Sequence, residues 1–84
     1  MGTLIITFRS VTPAQRAERI LRGVGLPCHL GRTPRWMEEQ GCGYSLRVRY
    51  MELQNVVTLL QGHKIPFRKL YRVGENETME EVPV

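Results

Sequence analysis

Ile20-Leu21-Arg22-Gly23-Val24-Gly25-Leu26-Pro27 is echoed, 59 − 20 = 39 residues later, by Leu59-Leu60-Gln61-Gly62-His63-Lys64-Ile65-Pro66. Ile20-Leu21 matches Leu59-Leu60, and Leu26-Pro27 matches Ile65-Pro66, which marks an internal repeat. Upstream of the first copy, Ala14, Ala17, Ile20, Leu21 and Val24 recur at three and four residues and share one helical face. Thr12-Pro13-Ala14-Gln15 reads as the start of that helix, with Thr12 as cap and Pro13 in the first turn. Gly23 and Gly25 supply its left-handed stop. Before it, Leu4-Ile5-Ile6-Thr7-Phe8 is β-branched and aromatic, of strand length. After it, Leu26 to Leu30 reads as a second strand.

The second copy repeats the plan. Tyr44, Leu46 and Val48 alternate with Ser45, Arg47 and Arg49, the pattern of a half-buried strand. Leu53, Val56, Val57, Leu59 and Leu60 form the apolar face of a helix ending near Gly62, and Phe67 to Val73 is the last strand. Two β-α-β units in tandem predict an α+β domain of the ferredoxin-like βαββαβ kind: a four-stranded antiparallel sheet with two helices on one face. The domain is expected over residues 1–73, with halves at about 3–31 and 44–73 joined by a loop at 31–43.

The chain has 84 residues, enough for one domain. A domain this size buries only about 60 to 65% of its unfolded surface, so its core is thin and a large enclosed pocket is not expected. No apolar run approaches the roughly 18 residues of a membrane span, nor is there a signal-peptide pattern, and a cytosolic location is expected. Two cysteines, Cys28 and Cys42, are too few for a disulfide framework and are expected as free thiols.

The net charge of +4 hides an asymmetry. All 12 Lys and Arg precede Gly74, against Glu18, Glu38, Glu39 and Glu52, giving 12 − 4 = +8 for the body. Residues 74–84 hold the other four acids and read as an acidic, flexible tail, either solvated or folded across the basic surface.

The loop at 31–43 is long for so small a domain, and such loops are often functional. It contains Thr33-Pro34-Arg35, Trp36 and Gly41-Cys42-Gly43. A thiol between two glycines has no bulky neighbour to screen it, and Arg32 and Arg35 in the same loop favour its thiolate. Such a group can accept a sulfur or selenium atom and pass it on. Its alternative reading is a small residue in a tight turn. Cys28, in the pattern Leu26-Cys28-Leu30, is expected in the core. His29 and His63 are expected at the surface, and no base stands in the chain beside Cys42, which argues for a carrier or binding protein over a turnover enzyme. Zinc-ligand spacing and a Gly-rich phosphate motif are both lacking, so neither metal nor cofactor is expected.

Thr33-Pro34-Arg35 after the second strand and Cys42-Gly43 before the third, set within the β-α-β repeat, resemble the selenium/sulfur (Se/S) carrier-like proteins, a family of small bacterial and archaeal proteins. The resemblance covers Leu4 to Tyr71. It implies that Cys42 carries a chalcogen as a persulfide or selenosulfide, supported by Gly43 and by Thr33, Pro34 and Arg35, with donor and acceptor proteins as partners. This chain has Gly41 where a small hydroxyl residue usually precedes the cysteine, which removes one hydrogen bond to the thiolate.

Two other classes fit the same residues. A basic sheet face with Arg47, Arg49, Arg9 and Arg68 or Arg72 suits nucleic acid. Against that, the central positions Ile5, Thr7, Ser45 and Arg47 offer no ring for base stacking. A regulatory or interaction module would instead pair through an edge strand or an exposed Ile5, Leu70 and Trp36, and homodimerisation would help so small a core.

Overall fold

A computed structural model describes residues 2–33, 43–74 and 79–83. In chain order they form β1 (Thr3–Phe8), α1 (Val11–Gly23), β2 (His29–Arg32), β3 (Tyr44–Arg49), a 3-10 turn (Tyr50–Glu52), α2 (Leu53–Gly62), β4 (Leu70–Val73) and β5 (Met79–Val82). The domain is α+β, and its described residues build two α-helices and one antiparallel sheet of five strands in the order β2-β3-β1-β4-β5. The four-stranded expectation is therefore corrected. The fifth strand comes from the stretch read as an acidic tail: Met79–Val82 pairs along β4, with Glu80 opposite Arg72 and Glu81 opposite Tyr71. The Lys69 ammonium lies 3.7 Å from the Glu81 carboxylate. Acid carried at the end of the chain thus returns to the basic body as a sheet edge.

Period-two alternation decides which side chains of each strand meet the helices. Leu4, Ile6 and Phe8 of β1, Leu46 and Val48 of β3 and Leu70 of β4 form one core with Ala14, Ala17 and Leu21 of α1 and Val56 and Leu60 of α2. On the other sheet face Ile5 and Tyr71 are buried together, with Val73 and Met79 packed against them. Ile5 and Leu70, expected to be exposed, are therefore not available as a docking surface: the first is buried beside Tyr71 and the second packs in the core with the helices. Val24, assigned to the apolar face of the first helix, is 57% exposed because α1 ends one residue before it.

The repeat holds at atomic detail in the helix exits. After α1 the Leu26 amide donates to the Leu21 carbonyl (2.9 Å) and the Gly25 amide to that of Arg22 (3.0 Å). After α2 the Ile65 amide donates to the Leu60 carbonyl (2.9 Å) and the Lys64 amide to that of Gln61 (3.1 Å). Both are Schellman turns, in which one left-handed residue lets two late amides satisfy the last helical carbonyls. Gly25 has φ +84° and its counterpart Lys64 has φ +56°. These exits delay the strands after them. The second strand starts at His29, not Leu26, and the fourth at Leu70, not Phe67.

Helix entry differs from expectation as well. Ser10 is the N-cap of α1 and makes no side-chain capping bond, so Thr12 and Pro13 lie inside the first turn. α2 is entered through the 3-10 turn, where the Arg72 guanidinium lies 4.9 Å from the Tyr50 ring centre. That distance is within cation–π range.

Candidate functional site

The register brings the ends of four strands to one edge of the sheet. Phe8, the last residue of β1, lies opposite Tyr44, the first of β3, and Tyr44 also lies opposite Arg32, the last of β2. One step beyond, the Thr33 amide donates to the Gly43 carbonyl at 3.0 Å, so the ladder runs one rung past the strands. On the other side of β1, Thr7 meets the approach to β4. The Thr7 amide donates to the Lys69 carbonyl (2.9 Å), and the Thr7 carbonyl accepts from the Arg68 amide (2.7 Å). The Thr7 hydroxyl accepts from the Lys69 amide at 3.1 Å.

The expected site residues divide accordingly. Arg32, Thr33 and Gly43 stand together at this edge, with Gly43 buried, Thr33 half-buried and Arg32 exposed. Pro34, Arg35, Gly41 and Cys42 lie outside the described residues, as does Trp36. The segment that bears them leaves the sheet at Thr33 and returns at Gly43, whose backbones are tied to each other. Cys42 is joined by a single peptide bond to that rung. The Thr33 hydroxyl oxygen is buried and, among the described residues, has no hydrogen-bond partner. A buried hydroxyl without a partner costs about 1 to 3 kcal/mol, and this one sits where the connecting segment begins.

Cys28 stands in a different environment. It is 3% exposed, within the main core, and its thiol donates a long hydrogen bond of 3.9 Å to the Glu18 carbonyl. Burial pushes the thiol pKa up, and the Arg22 guanidinium acts in the opposite direction. That guanidinium donates to the Cys28 carbonyl at 3.2 Å and pairs with Glu18 at 3.4 Å, fastening the α1 exit to the next strand. A desolvated thiol makes a poor nucleophile because the thiolate is the reactive form. Cys28 is a core residue.

His29 and His63 are both exposed. Among the described residues no three His, Cys, Asp or Glu side chains group closely enough to hold a metal ion, and no helix is long and apolar enough to cross a membrane.

Sequence reasoning missed three features: the Thr33–Gly43 rung, the β5 edge and the burial of Ile5 beside Tyr71. The first had a signal, because Gly43-Tyr44 directly precedes a well-marked strand and Gly31-Arg32-Thr33 continues a weak one. Pairing those two ends fixes the rung.

The described residues define a small α+β domain whose sheet is tied at one end by the Thr33–Gly43 rung. A family model described as "Putative Se/S carrier protein-like" matches residues 3–72. The chain belongs to that family. No curated protein and no solved structure matches it.

Proposed function

We propose that this protein carries a single sulfur or selenium atom on Cys42, as a persulfide or selenosulfide, between a donor and an acceptor protein. The observation that carries the reading is the division of labour between its two thiols. Cys28 is sealed in the core with its pKa raised, so thiol chemistry falls to Cys42, within the stretch matched to the family. The Thr33–Gly43 rung supports the reading too, since it gives the segment ending in Cys42 a fixed base.

The transfer needs no outside oxidant. The Cys42 thiolate attacks the terminal sulfur of a donor persulfide, the donor S–S bond breaks, and the donor leaves as its thiolate while a new S–S bond forms on Cys42. An acceptor nucleophile then takes the terminal atom and Cys42 leaves as thiolate. Selenium follows the same electron count. In this scheme Arg32 and Arg35 favour the anionic sulfur, Gly41 and Gly43 leave it accessible, and Pro34 shapes the segment's start. Thr33 contributes a hydroxyl for the terminal atom of the persulfide. We read the first four strands and two helices as a ferredoxin-like core to which β5 has been added, acting in the cytoplasm.

The test is the intact mass after incubation with a cysteine desulfurase and cysteine, and separately with a selenium donor. Wild type and Cys28→Ser should gain one reductant-labile chalcogen atom, and Cys42→Ser should gain none. Absence of the adduct, or equal loading of Cys42→Ser, overturns the proposal and leaves an interaction module.

A further inference from the structure

A cavity of about 450 Å³ opens where β1 turns into α1, lined by Arg9, Pro13, Pro66, Phe67, Arg68 and Lys69. Its volume lies within the roughly 300 to 1,000 Å³ typical of small-molecule sites. Its lining has two characters. Arg9, Arg68 and Lys69 are the cationic residues of the lining, and Pro13, Pro66 and the half-buried Phe67 the apolar ones. Arg68 and Lys69 have other interactions within the fold, among them the ion pair of Lys69 with Glu81.

The backbone adds to the positive character. α1 starts beside the cavity, Ser10 provides no side-chain cap, and no acidic residue stands in the first turn. The partial positive charge of the helix start is thus left without an acid in the position where one is most favourable. The hydrogen bonds of Thr7 to Arg68 and Lys69 hold the two backbone walls together, so the cavity is part of the folded core's edge.

From these observations we infer that the cavity is a binding site for a small organic phosphate, its phosphoryl group held by Arg9 and the other cations and its apolar body against Pro13, Pro66 and Phe67. Arginine suits that task because its planar fork can give a phosphate two parallel hydrogen bonds. A bare oxyanion would meet the cations and leave the apolar wall unused, whereas a neutral aromatic would do the reverse. The inference does not rest on Cys42 and stands or falls separately from the carrier reading.

The experiment titrates the full-length protein with phenyl phosphate, inorganic phosphate and phenol, following backbone amide resonances. Phenyl phosphate should move the amides of residues 9–12 and 67–69 saturably and bind about tenfold more tightly than inorganic phosphate, a difference of about 1.4 kcal/mol. Arg9→Gln should weaken phenyl phosphate by a similar factor, Phe67→Ala should reduce its advantage over inorganic phosphate, and Arg47→Gln on the sheet face should change neither. No saturable shift up to about 10 mM ligand, where binding would be worth under about 3 kcal/mol, overturns the proposal. So does equal affinity for phenol or for inorganic phosphate, or an Arg9→Gln variant that keeps the wild-type spectrum elsewhere and the wild-type affinity.

Discussion

The two helix exits use one backbone path with two different residues. Gly25 turns the chain after α1 and Lys64 turns it after α2, 64 − 25 = 39 residues later, with the same pair of amide-to-carbonyl bonds. A left-handed residue with a side chain carries a steric cost that glycine escapes. The second exit therefore holds its shape against that cost, and what holds it is the packing on either side: Leu60 and Ile65 are both core residues. The two halves share the path of the backbone. Beyond the exits they part, Cys28 entering the core while its counterpart Phe67 lines a basic cavity.

The comparison is broken most forcefully at the core. Leu21 and Leu60 are equivalent positions, each fully buried. Leu21→Ala and Leu60→Ala should each cost about 2 to 5 kcal/mol in urea unfolding, much of the stability of a small domain. A cost under about 1 kcal/mol at one of them would show that the halves do not share their core equally.

The exits themselves respond more mildly and with opposite signs. Lys64→Gly should stabilise by about 1 kcal/mol, and Gly25→Ala should destabilise by about 1 to 2 kcal/mol. A Cβ at Gly25 would meet nothing within 4 Å, so the Ala cost is conformational rather than steric crowding. Unfolding midpoints of the two variants measure both, and a destabilised Lys64→Gly would mean that the lysine side chain contributes more than its backbone costs.

The smallest effect is a pH dependence. The Cys28 thiol has its pKa raised from 9.0 in the folded protein, so the unfolded chain loses the proton first as pH rises. The stability this provides is intact below about pH 9 and is lost progressively above it. Wild type should therefore weaken more steeply than Cys28→Ala between neutral and alkaline pH. Parallel unfolding curves for the two proteins would mean that the thiol is as well solvated folded as unfolded.

Much of the architecture was legible because it rests on short-range pattern. The alternation of Tyr44 to Arg49 gave β3 its boundaries and faces, and the spacing of Ala14, Ala17 and Leu21 gave α1 its buried side. The boundaries that moved were those set by hydrogen bonds. Leu26 looks like a strand residue, yet its amide closes the turn after α1, so β2 begins three residues later. β5 escaped notice because Glu80 and Glu81 have little strand propensity of their own. Its pairing depends on the neighbouring β4, where Arg72, and Lys69 just before the strand, face its acids. At the site, the residue types singled out Cys42, whereas the rung joining Thr33 to Gly43 shows only once the ends of two separate strands are paired with each other.

β5 also determines how the molecule meets its own kind. An open sheet rim invites a second chain to add itself as the next strand, and charge repulsion is one way to discourage that. With Glu80 and Glu81 along one rim, two copies approaching there bring four carboxylates together. The opposite rim is β2, four residues long, with His29, Gly31 and Arg32 exposed and no acid among them. The sheet thus has an acidic margin and a basic one. Two copies meeting at their β5 rims would therefore repel, to an extent that falls as salt is added.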